Sequence, residues 1–223
     1  MWDLPTRVFH WLLVASLTAS WITAEIGYDW TETHFLLGYC NLTLVLFRVV
    51  WGIVGPQHAR FTSFMRGPSS ALSAVPALFS RKPGTHVGHN PIGAWSVAIF
   101  LVLVAIQAGT GLFISDDILY AGPYNGVISS SLAGTLANIH HLNFKVLTTF
   151  VALHVIAITW YALGKRTNLL RPMLTGRKAN VDPGQGINSS RTGTALVVLA
   201  VAALAVAALV LLAPAPSMDD YYY

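Results

Sequence analysis

Five stretches of this sequence are apolar for long enough to cross a membrane as helices. A helix needs roughly 20 largely apolar residues to span the hydrocarbon core of a bilayer. Only 10% of the 223 residues are charged and 54% are apolar, whereas a soluble domain typically carries about 25% charged residues. The sequence therefore predicts an integral membrane protein. The predicted spans are approximately residues 9–26, 35–54, 91–114, 137–163 and 195–213.

The two long connections between spans, residues 55–90 and 164–193, are rich in Gly, Pro, Ser and Arg and have no sustained apolar period. This composition favours short surface helices and coil over a further domain. The predicted fold is all-α, an up-down antiparallel four-helix transmembrane bundle with a fifth C-terminal transmembrane helix. We expect this core over residues 1–178, a cytoplasmic linker over 179–193, and the added helix with a short periplasmic tail over 194–223.

Positive charge lies almost entirely on one side of the predicted membrane. If the five spans alternate in direction, twelve of the thirteen Lys and Arg residues share a side, and Lys145 is the exception. The positive-inside rule then places the N-terminus in the cytoplasm and the C-terminus outside. Orientation and contacts with anionic lipid explain the net charge of +4, so this charge does not indicate nucleic acid. The opposite side carries seven of the nine acids, namely Glu25, Asp29, Glu32, Asp116, Asp117, Asp219 and Asp220.

The single cysteine, Cys40, excludes an internal disulfide and a cysteine-ligated zinc or iron–sulfur site built by this chain alone. Histidine, in contrast, is abundant, with eight residues. An ionisable side chain at membrane depth is costly and marks a functional candidate. His58 and His86 lie in a predicted cytoplasmic loop. The remaining six lie in or beside the spans: His10, His34, His89, His140, His141 and His154.

His140 and His154 are predicted to share one face of the fourth span. They are 14 residues apart, which corresponds to about 1400° of rotation and an axial rise of roughly 21 Å. His141 falls on nearly the opposite side from His154. Because the first span runs outward, His10 is expected at the depth of His154. The second span runs inward, which places His34 at the depth of His140.

Two histidine pairs at matching depths indicate two haem sites, since low-spin haem iron can take an imidazole on each side. Zinc would prefer four ligands with cysteine or carboxylate among them, and these spans lack such a set. For any single histidine, a hydrogen-bonded polar contact is the ordinary alternative. Four histidines in complementary pairs weaken that alternative considerably.

A haem also needs space and a charge complement. Gly109 and Gly111 on the third span would let a planar ring approach the backbone, although small residues also serve helix packing. Arg7 and Arg48 lie on the cytoplasmic side and could pair with haem propionates, or else extend to lipid phosphates. We therefore place these four residues among the candidate cofactor-binding residues.

Seven short motifs within residues 1–178 form a distinctive set: Val8-Phe9-His10-Trp11, Thr33-His34 followed by Leu37-Gly38-Tyr39, Phe47-Arg48 followed by Trp51-Gly52, Gly88-His89-Asn90-Pro91, His140-His141, Leu153-His154, and Asn168-Leu169-Leu170-Arg171-Pro172. Together they resemble the bacterial di-haem cytochrome b-561 family, which is similar to the b-type cytochrome subunits of nickel–iron hydrogenases and formate dehydrogenases. The resemblance implies a four-helix core that holds two b haems and passes electrons between a membrane quinone pool and an outside partner. It also implies that the iron ligands are His10, His34, His140 and His154.

Three classes of function remain open. The first is an electron conduit in the bacterial inner membrane, between ubiquinone or another quinone and a periplasmic redox protein such as a c-type cytochrome. The second is a self-contained oxidoreductase in which a small molecule such as superoxide reacts at the outer haem. The third is a membrane anchor, either without redox activity or as the haem b subunit of a hydrogenase or dehydrogenase. The acidic outer surface favours a protein with a basic face over an anionic substrate.

Three further features each allow two roles. His89, just before the third span, could accept a proton from quinol oxidation or cap the span. Lys145 has no match in the family pattern and could pair with an outer haem propionate or extend outward. The fifth span lies outside the core and is a candidate surface for self-association or partner docking.

Overall fold

The computed structural model describes residues 2–80, 90–116, 119–177 and 189–214. It is 78% helical and contains no strand among these residues, which confirms the predicted all-α class. Five of its helices have 20 or more residues: α1 (Leu4–Glu25), α2 (Thr31–Val54), α5 (Pro91–Gly111), α6 (Ser130–Leu163) and α8 (Thr192–Leu211). The short helices are α3 (Phe61–Phe64), α4 (Pro68–Phe79) and α7 (Leu170–Thr175).

Side-chain caps explain where two of the long helices begin. Asp3 Oδ1 accepts a hydrogen bond from the Thr6 backbone N–H at 2.9 Å, which satisfies a free donor in the first turn of α1. Asn90 Oδ1 accepts one from the Gly93 N–H at 2.6 Å, and Pro91 occupies the first position of α5, where no donor is needed.

Helices α2, α5, α6 and α8 are long and apolar enough to cross a membrane. Helix α1 has 22 residues, but it carries Arg7, His10 and Glu25 and is not among the helices that length and composition mark as spans. A crossing by α1 therefore stays a prediction. Helix α6 begins seven residues before the predicted start of the fourth span, because the small and polar residues of 130–136 continue the helix beyond the apolar stretch.

The connections follow the expectation of short helices and coil where the structure describes them. Helices α3 and α4 lie in the first long connection and α7 lies in the second. His89, most of the proposed linker and the end of the proposed periplasmic tail lie outside the described residues. The domain boundaries proposed from sequence therefore stay predictions.

The chain divides into two compact units, and both draw on the same five long helices. The first comprises Met1–Trp11, Phe47–Leu101 and Thr148–Val198. Its interior holds an aromatic stack in which the rings of Phe47 and Trp51 lie 5.9 Å apart. Trp51 is fully buried, and its Nε1–H donates to Asp3 Oδ1 at 3.0 Å. This bond joins the start of α1 to the end of α2.

The second unit comprises Leu12–Leu46, Val102–Leu147 and Leu199–Tyr223. Two buried asparagines connect its helices in pairs. Asn41 Nδ2 on α2 donates to Ser20 Oγ on α1 at 3.0 Å. Asn143 Nδ2 on α6 donates to Gln107 Oε1 on α5 at 2.7 Å. Polar bonds of this kind fix the rotation of apolar helices about their axes, which apolar contacts alone do weakly.

Candidate functional site

His34 on α2 and His140 on α6 lie in the second unit, near enough for their charges to interact. The Nδ1 atom of His34 is 2.9 Å from the backbone carbonyl oxygen of Ser20 on α1. Because a carbonyl oxygen can only accept, His34 Nδ1 carries the proton and donates. With the proton on Nδ1, Nε2 is the nitrogen that can bind a metal ion.

The same reasoning assigns the proton on His140. Its Nδ1 is 3.0 Å from Thr110 Oγ1 on α5. The Thr110 hydroxyl donates its own hydrogen to the Ile106 carbonyl oxygen at 2.7 Å, so the oxygen accepts from His140 Nδ1–H. In His140, too, Nε2 is therefore the nitrogen that can bind a metal ion. His141, the next residue, is exposed.

His10 on α1 and His154 on α6 form the second pair, in the first unit, and their charges also lie within interaction range. The His154 ring packs edge-on against Phe100, with ring centres 5.5 Å apart. His10 Nδ1 is buried and has no hydrogen-bond partner in the described part of the chain. The predicted pairings of His10 with His154 and of His34 with His140 are thus the ones that the structure brings together.

Arg48 lies in the first unit and is 2% exposed. Its guanidinium carbon sits 4.8 Å from the centre of the Phe61 ring, and its Nη1 is buried with no hydrogen-bond partner among the described residues. The Phe61 ring also covers Gly52, where an added Cβ would overlap a carbon of that ring. Glycine at position 52 is therefore what allows Phe61 to lie beside Arg48.

Arg7 belongs to the same unit and is fixed at one end. Its Nη1 donates to the Leu174 carbonyl oxygen at the end of α7, 2.5 Å away. Gly176, with φ of +74°, closes that helix and lies against the Arg7 guanidinium. The Nε of Arg7 is buried without a partner among the described residues. Both arginines thus have one buried N–H with no acceptor supplied by the described chain.

Three glycines on the long helices bear on the space beside the His34–His140 pair. A Cβ added at Gly111 would lie 3.5 Å from His140 Cε1, which places Gly111 directly beside that ring. A Cβ added at Gly109 or at Gly38, one turn after His34, would meet nothing within 4 Å. Sequence reasoning identified Gly109 and Gly111 but missed Gly38.

The residues present fit haem. In the His34–His140 pair each ring is held through Nδ1, which leaves Nε2 as the nitrogen that can bind iron. In the first unit, Arg7 and Arg48 each have a buried nitrogen without an acceptor among the described residues, and an anionic group such as a propionate would supply one. No three His, Cys, Asp or Glu side chains come together within the described ranges, and a site for a bare metal ion would typically need three or four such protein ligands. Paired imidazoles with an arginine complement suit a prosthetic group that supplies the other iron ligands itself.

Sequence reasoning missed the groups that orient the outer imidazoles. Thr110 is an isolated hydroxyl between two glycines in an apolar helix, and nothing in its spacing marks it as a partner of His140. Ser20 acts through its backbone carbonyl, which no side-chain pattern can reveal. Such contacts follow from how α1 packs on α2 and how α5 packs on α6.

An all-α membrane chain with paired histidines on its apolar helices defines a b-type cytochrome. The family described as prokaryotic cytochrome b561 matches residues 1–176. The chain belongs to that family, and it is a bacterial membrane protein that transfers electrons through haem b.

Relatives are probable Ni/Fe-hydrogenase B-type cytochrome subunits from three bacteria. The protein from Rhizobium leguminosarum bv. viciae is 24% identical, covering 80% of this chain and 87% of its own length. That from Azotobacter chroococcum mcd 1 is 25% identical, covering 79% and 86%. That from Cupriavidus necator is 22% identical, covering 82% and 87%. No solved structure matches the chain.

Proposed function

We propose that this chain carries electrons across the bacterial inner membrane through two haem b groups, between the quinone pool and a periplasmic redox protein. The observation that carries the proposal is the existence of two separate histidine pairs, one in each compact unit, with one member of each pair on α6. A cytochrome that used a single haem would need only one such pair.

Each pair would hold one iron. His34 and His140, oriented through their Nδ1 atoms, would offer Nε2 to one iron, and His10 and His154 would hold the other. Haem iron supplies reversible one-electron chemistry between its ferric and ferrous forms. The protein residues would bind and orient the groups, so no side chain is needed as an acid or base for the electron transfer itself.

Arg48 and Arg7 would bind the propionates at the His10–His154 site. Both are in the same compact unit as that pair, and each has a buried N–H without an acceptor among the described residues. Guanidinium groups bind carboxylates through strong charge-assisted hydrogen bonds, and such bonds strengthen where water is excluded. Phe61 would hold the Arg48 side chain in place from one face.

The chain would lie with its N-terminus in the cytoplasm and with α1 as a fifth span, as the positive-inside rule predicts. The His34–His140 site would then be the periplasmic one. Glu25, Asp29 and Glu32 are exposed near the start of α2 and would favour a partner with a basic face. A c-type cytochrome with a basic face could dock there and exchange electrons.

A subunit role in a hydrogenase or dehydrogenase complex is the second candidate. It is favoured by the relatives, which are named as probable Ni/Fe-hydrogenase subunits. The exposed apolar surface of α8, including Leu196 and Leu204, would serve docking of a partner's helix or self-association. Reaction with superoxide at the outer haem is the weaker alternative, because the acidic surface repels an anion.

The quinone would exchange electrons at the cytoplasmic side, beside the His10–His154 site. His89 is proposed to receive a proton there, on the sequence argument alone, since it lies outside the described residues. Quinol oxidation releases protons, and histidine titrates near neutral pH.

The test is anaerobic reduction of the purified protein by a quinol, followed by rapid mixing with a cationic c-type cytochrome or with superoxide. We expect both haems to be reduced by the quinol and reoxidised by the cytochrome. Reoxidation by superoxide alone would favour the self-contained enzyme. Failure of any quinol to reduce the protein would contradict the quinone assignment.

A further inference from the structure

The two histidine pairs differ in what holds their imidazoles. Both Nδ1–H groups of the His34–His140 pair donate hydrogen bonds, to the Ser20 carbonyl at 2.9 Å and to Thr110 Oγ1 at 3.0 Å. In the other pair, His10 Nδ1 is buried and finds no acceptor among the residues described. The two sites therefore differ in a property that tunes metal ligands.

A hydrogen bond donated from Nδ1 makes an imidazole more basic at Nε2. A more basic ligand stabilises ferric iron more than ferrous iron, and so lowers the reduction potential. Positive charge has the opposite effect, because it stabilises the site that has gained an electron. Arg7 and Arg48 are in the unit that contains His10 and His154. The Nδ1 hydrogen bonds at one site and the arginines at the other therefore both make the reduction potential of the His34–His140 site lower than that of the His10–His154 site.

We propose that the hydrogen bonds to Thr110 and to the Ser20 carbonyl make the His34–His140 site the lower-potential haem site of this chain. This inference rests on the proposed function, in which each pair binds one haem. An electron shared between the two haems would then be more stable at the His10–His154 site.

Thr110 is a positioning residue in this account, because it acts on the iron only through His140. Replacing it with valine keeps the shape and removes the side-chain acceptor, while the backbone hydrogen bond between His140 and Gln107 remains. Thr110→Ser restores the hydroxyl. Thr43→Val is the matched control, since the Thr43 hydroxyl donates to the Tyr39 carbonyl oxygen at 2.9 Å within α2 in the same way. Among the described residues, Thr43 bonds to no histidine.

The experiment is a redox titration of the haem-loaded protein, followed by its visible spectrum and by the low-spin ferric resonance. His140→Ala first identifies which midpoint belongs to this site. We expect the lower midpoint to be the one it removes. Thr110→Val should shift that midpoint upward and change the ferric g-values of the same haem, because the ring is free to rotate. Thr110→Ser and Thr43→Val should leave both unchanged.

An unshifted midpoint in Thr110→Val, with both haems bound, would overturn the inference, as would a higher midpoint at the His140 site in the unsubstituted protein. If Thr110→Val loses the haem, the order of the two midpoints in the unsubstituted protein still decides the question. Retention of both haems in His140→Ala would instead refute the proposed ligand set, so the two failures are distinguishable.

Helix α4 carries a second, independent inference. It contains no charged residue, yet Leu72, Val75 and Phe79 form an exposed face at helical spacing, with Leu72 73% and Phe79 77% exposed. Its other face, which includes Ala71, is less exposed. An apolar face of this kind, which none of the described residues covers, needs a partner to cover it.

The end of α4 is fixed to the end of a membrane-crossing helix. Trp160 Nε1–H donates to the Leu78 carbonyl oxygen at 2.8 Å, and Lys165 Nζ donates to that of Ala77 at 2.7 Å. These carbonyls belong to the last turn of α4, where a cation is favoured. Tryptophan is enriched at the membrane surface. The exposed face of α4 thus lies at the end of α6, beside the exposed Leu163.

We infer that α4 is an interfacial helix whose Leu72–Val75–Phe79 face inserts into the lipid bilayer. Exposed Arg60 and Arg66 precede the helix and suit anionic headgroups. The end of α6, with its exposed Leu163, lies against the end of α4, so a bilayer would cover both apolar surfaces.

Nitroxide labels test the depth of this face in a Cys40→Ser background. The labelled positions are Leu72→Cys and Phe79→Cys, with exposed Gln57→Cys as the aqueous control. The full chain is placed in vesicles of phosphatidylglycerol and phosphatidylethanolamine. We expect the two α4 labels to collide more with oxygen than with a water-soluble nickel complex, and the control to do the reverse. Nickel access at α4 equal to that of the control would overturn the inference, and so would dipolar coupling between two copies.

Discussion

At the scale of single residues, the histidines of α6 separate into those that face neighbouring helices and one that does not. His140 donates to Thr110 on α5, and His154 packs on Phe100 of the same helix. His141 is exposed. His140 and His141 are adjacent in the sequence, but their side chains leave the helix about 100° apart around its axis. This difference gives a direct test of the ligand assignment.

His140→Ala is expected to reduce the haem content from two per chain to one, because the iron loses one of its two imidazoles. His141→Ala is the matched control and should retain both haems. The measurement is the haem-to-protein ratio from the pyridine haemochrome spectrum. An exchange of these two results would show that the exposed histidine is the ligand.

His10→Ala and His154→Ala should each remove the other haem and leave the His34–His140 haem in place. The two variants share one site, so their reduced spectra should coincide. If the two variants lost different haems, the pairing of His10 with His154 would be wrong. Double replacement should cost no more haem than either single replacement.

At the scale of elements, the contact between α2 and α3 shapes the Arg48 site. Gly52 lies under the Phe61 ring, and an added Cβ would overlap that ring. Phe61 in turn lies over Arg48. A substitution at Gly52 should therefore displace the Phe61 ring and so disturb the buried Arg48 guanidinium.

Gly52→Val should displace Phe61 and weaken haem retention at the His10–His154 site. Gly134→Ala on α6 is the control, since a Cβ there meets nothing within 4 Å. Haem loss during dilution into detergent, followed by absorbance, measures the effect. Equal retention in both variants would show that the Phe61 contact does not support this site.

Trp51→Ala should destabilise the first unit by about 3–5 kcal/mol, the usual cost of truncating a buried aromatic residue. Trp51 is fully buried between Phe47 and Asp3, so water cannot replace the lost contacts without entering the unit. Denaturant titration of the detergent-solubilised protein, followed by helical circular dichroism, checks this value. A change below about 1 kcal/mol would mean that the unit repacks around the gap.

The elements also show which parts of the site sequence alone can predict. The pairing of the histidines follows from helical period and span direction, and both are encoded locally. Helices α2 and α6 begin before the predicted apolar spans, because the small and polar residues that precede the apolar stretches also form helix. Thr110 and the Ser20 carbonyl could not be found, since their roles arise from packing between helices distant in sequence.

At the scale of the whole molecule, the orientation of the chain in the membrane decides which surface each haem site faces. The predicted topology places acidic residues at the periplasmic surface and arginines at the cytoplasmic one. Charges of one sign at a docking surface speed the approach of an oppositely charged partner and fix its orientation. The same charges are screened beyond about 10 Å at 0.1 M ionic strength.

Reoxidation of the reduced protein by a basic periplasmic cytochrome should slow steeply as salt is added. Neutralising Asp29, Glu32, Asp116 and Asp117 together should slow association severalfold at low salt, and should flatten the salt dependence. Neutralising Arg60 and Arg66, exposed on the opposite predicted side, is the control. Stopped-flow reoxidation rates that change neither with salt nor with neutralisation of the acidic residues would exclude docking at the acidic surface.

The central claim is that this chain binds two haems, each between two imidazoles. The most direct measurement is the haem and metal content of the purified protein, together with its low-temperature reduced spectrum and ferric resonance. We predict two iron atoms and two b-type haems per chain, both low-spin with bis-imidazole ligation. One haem per chain, a high-spin iron with an open position, or zinc in place of iron would contradict it.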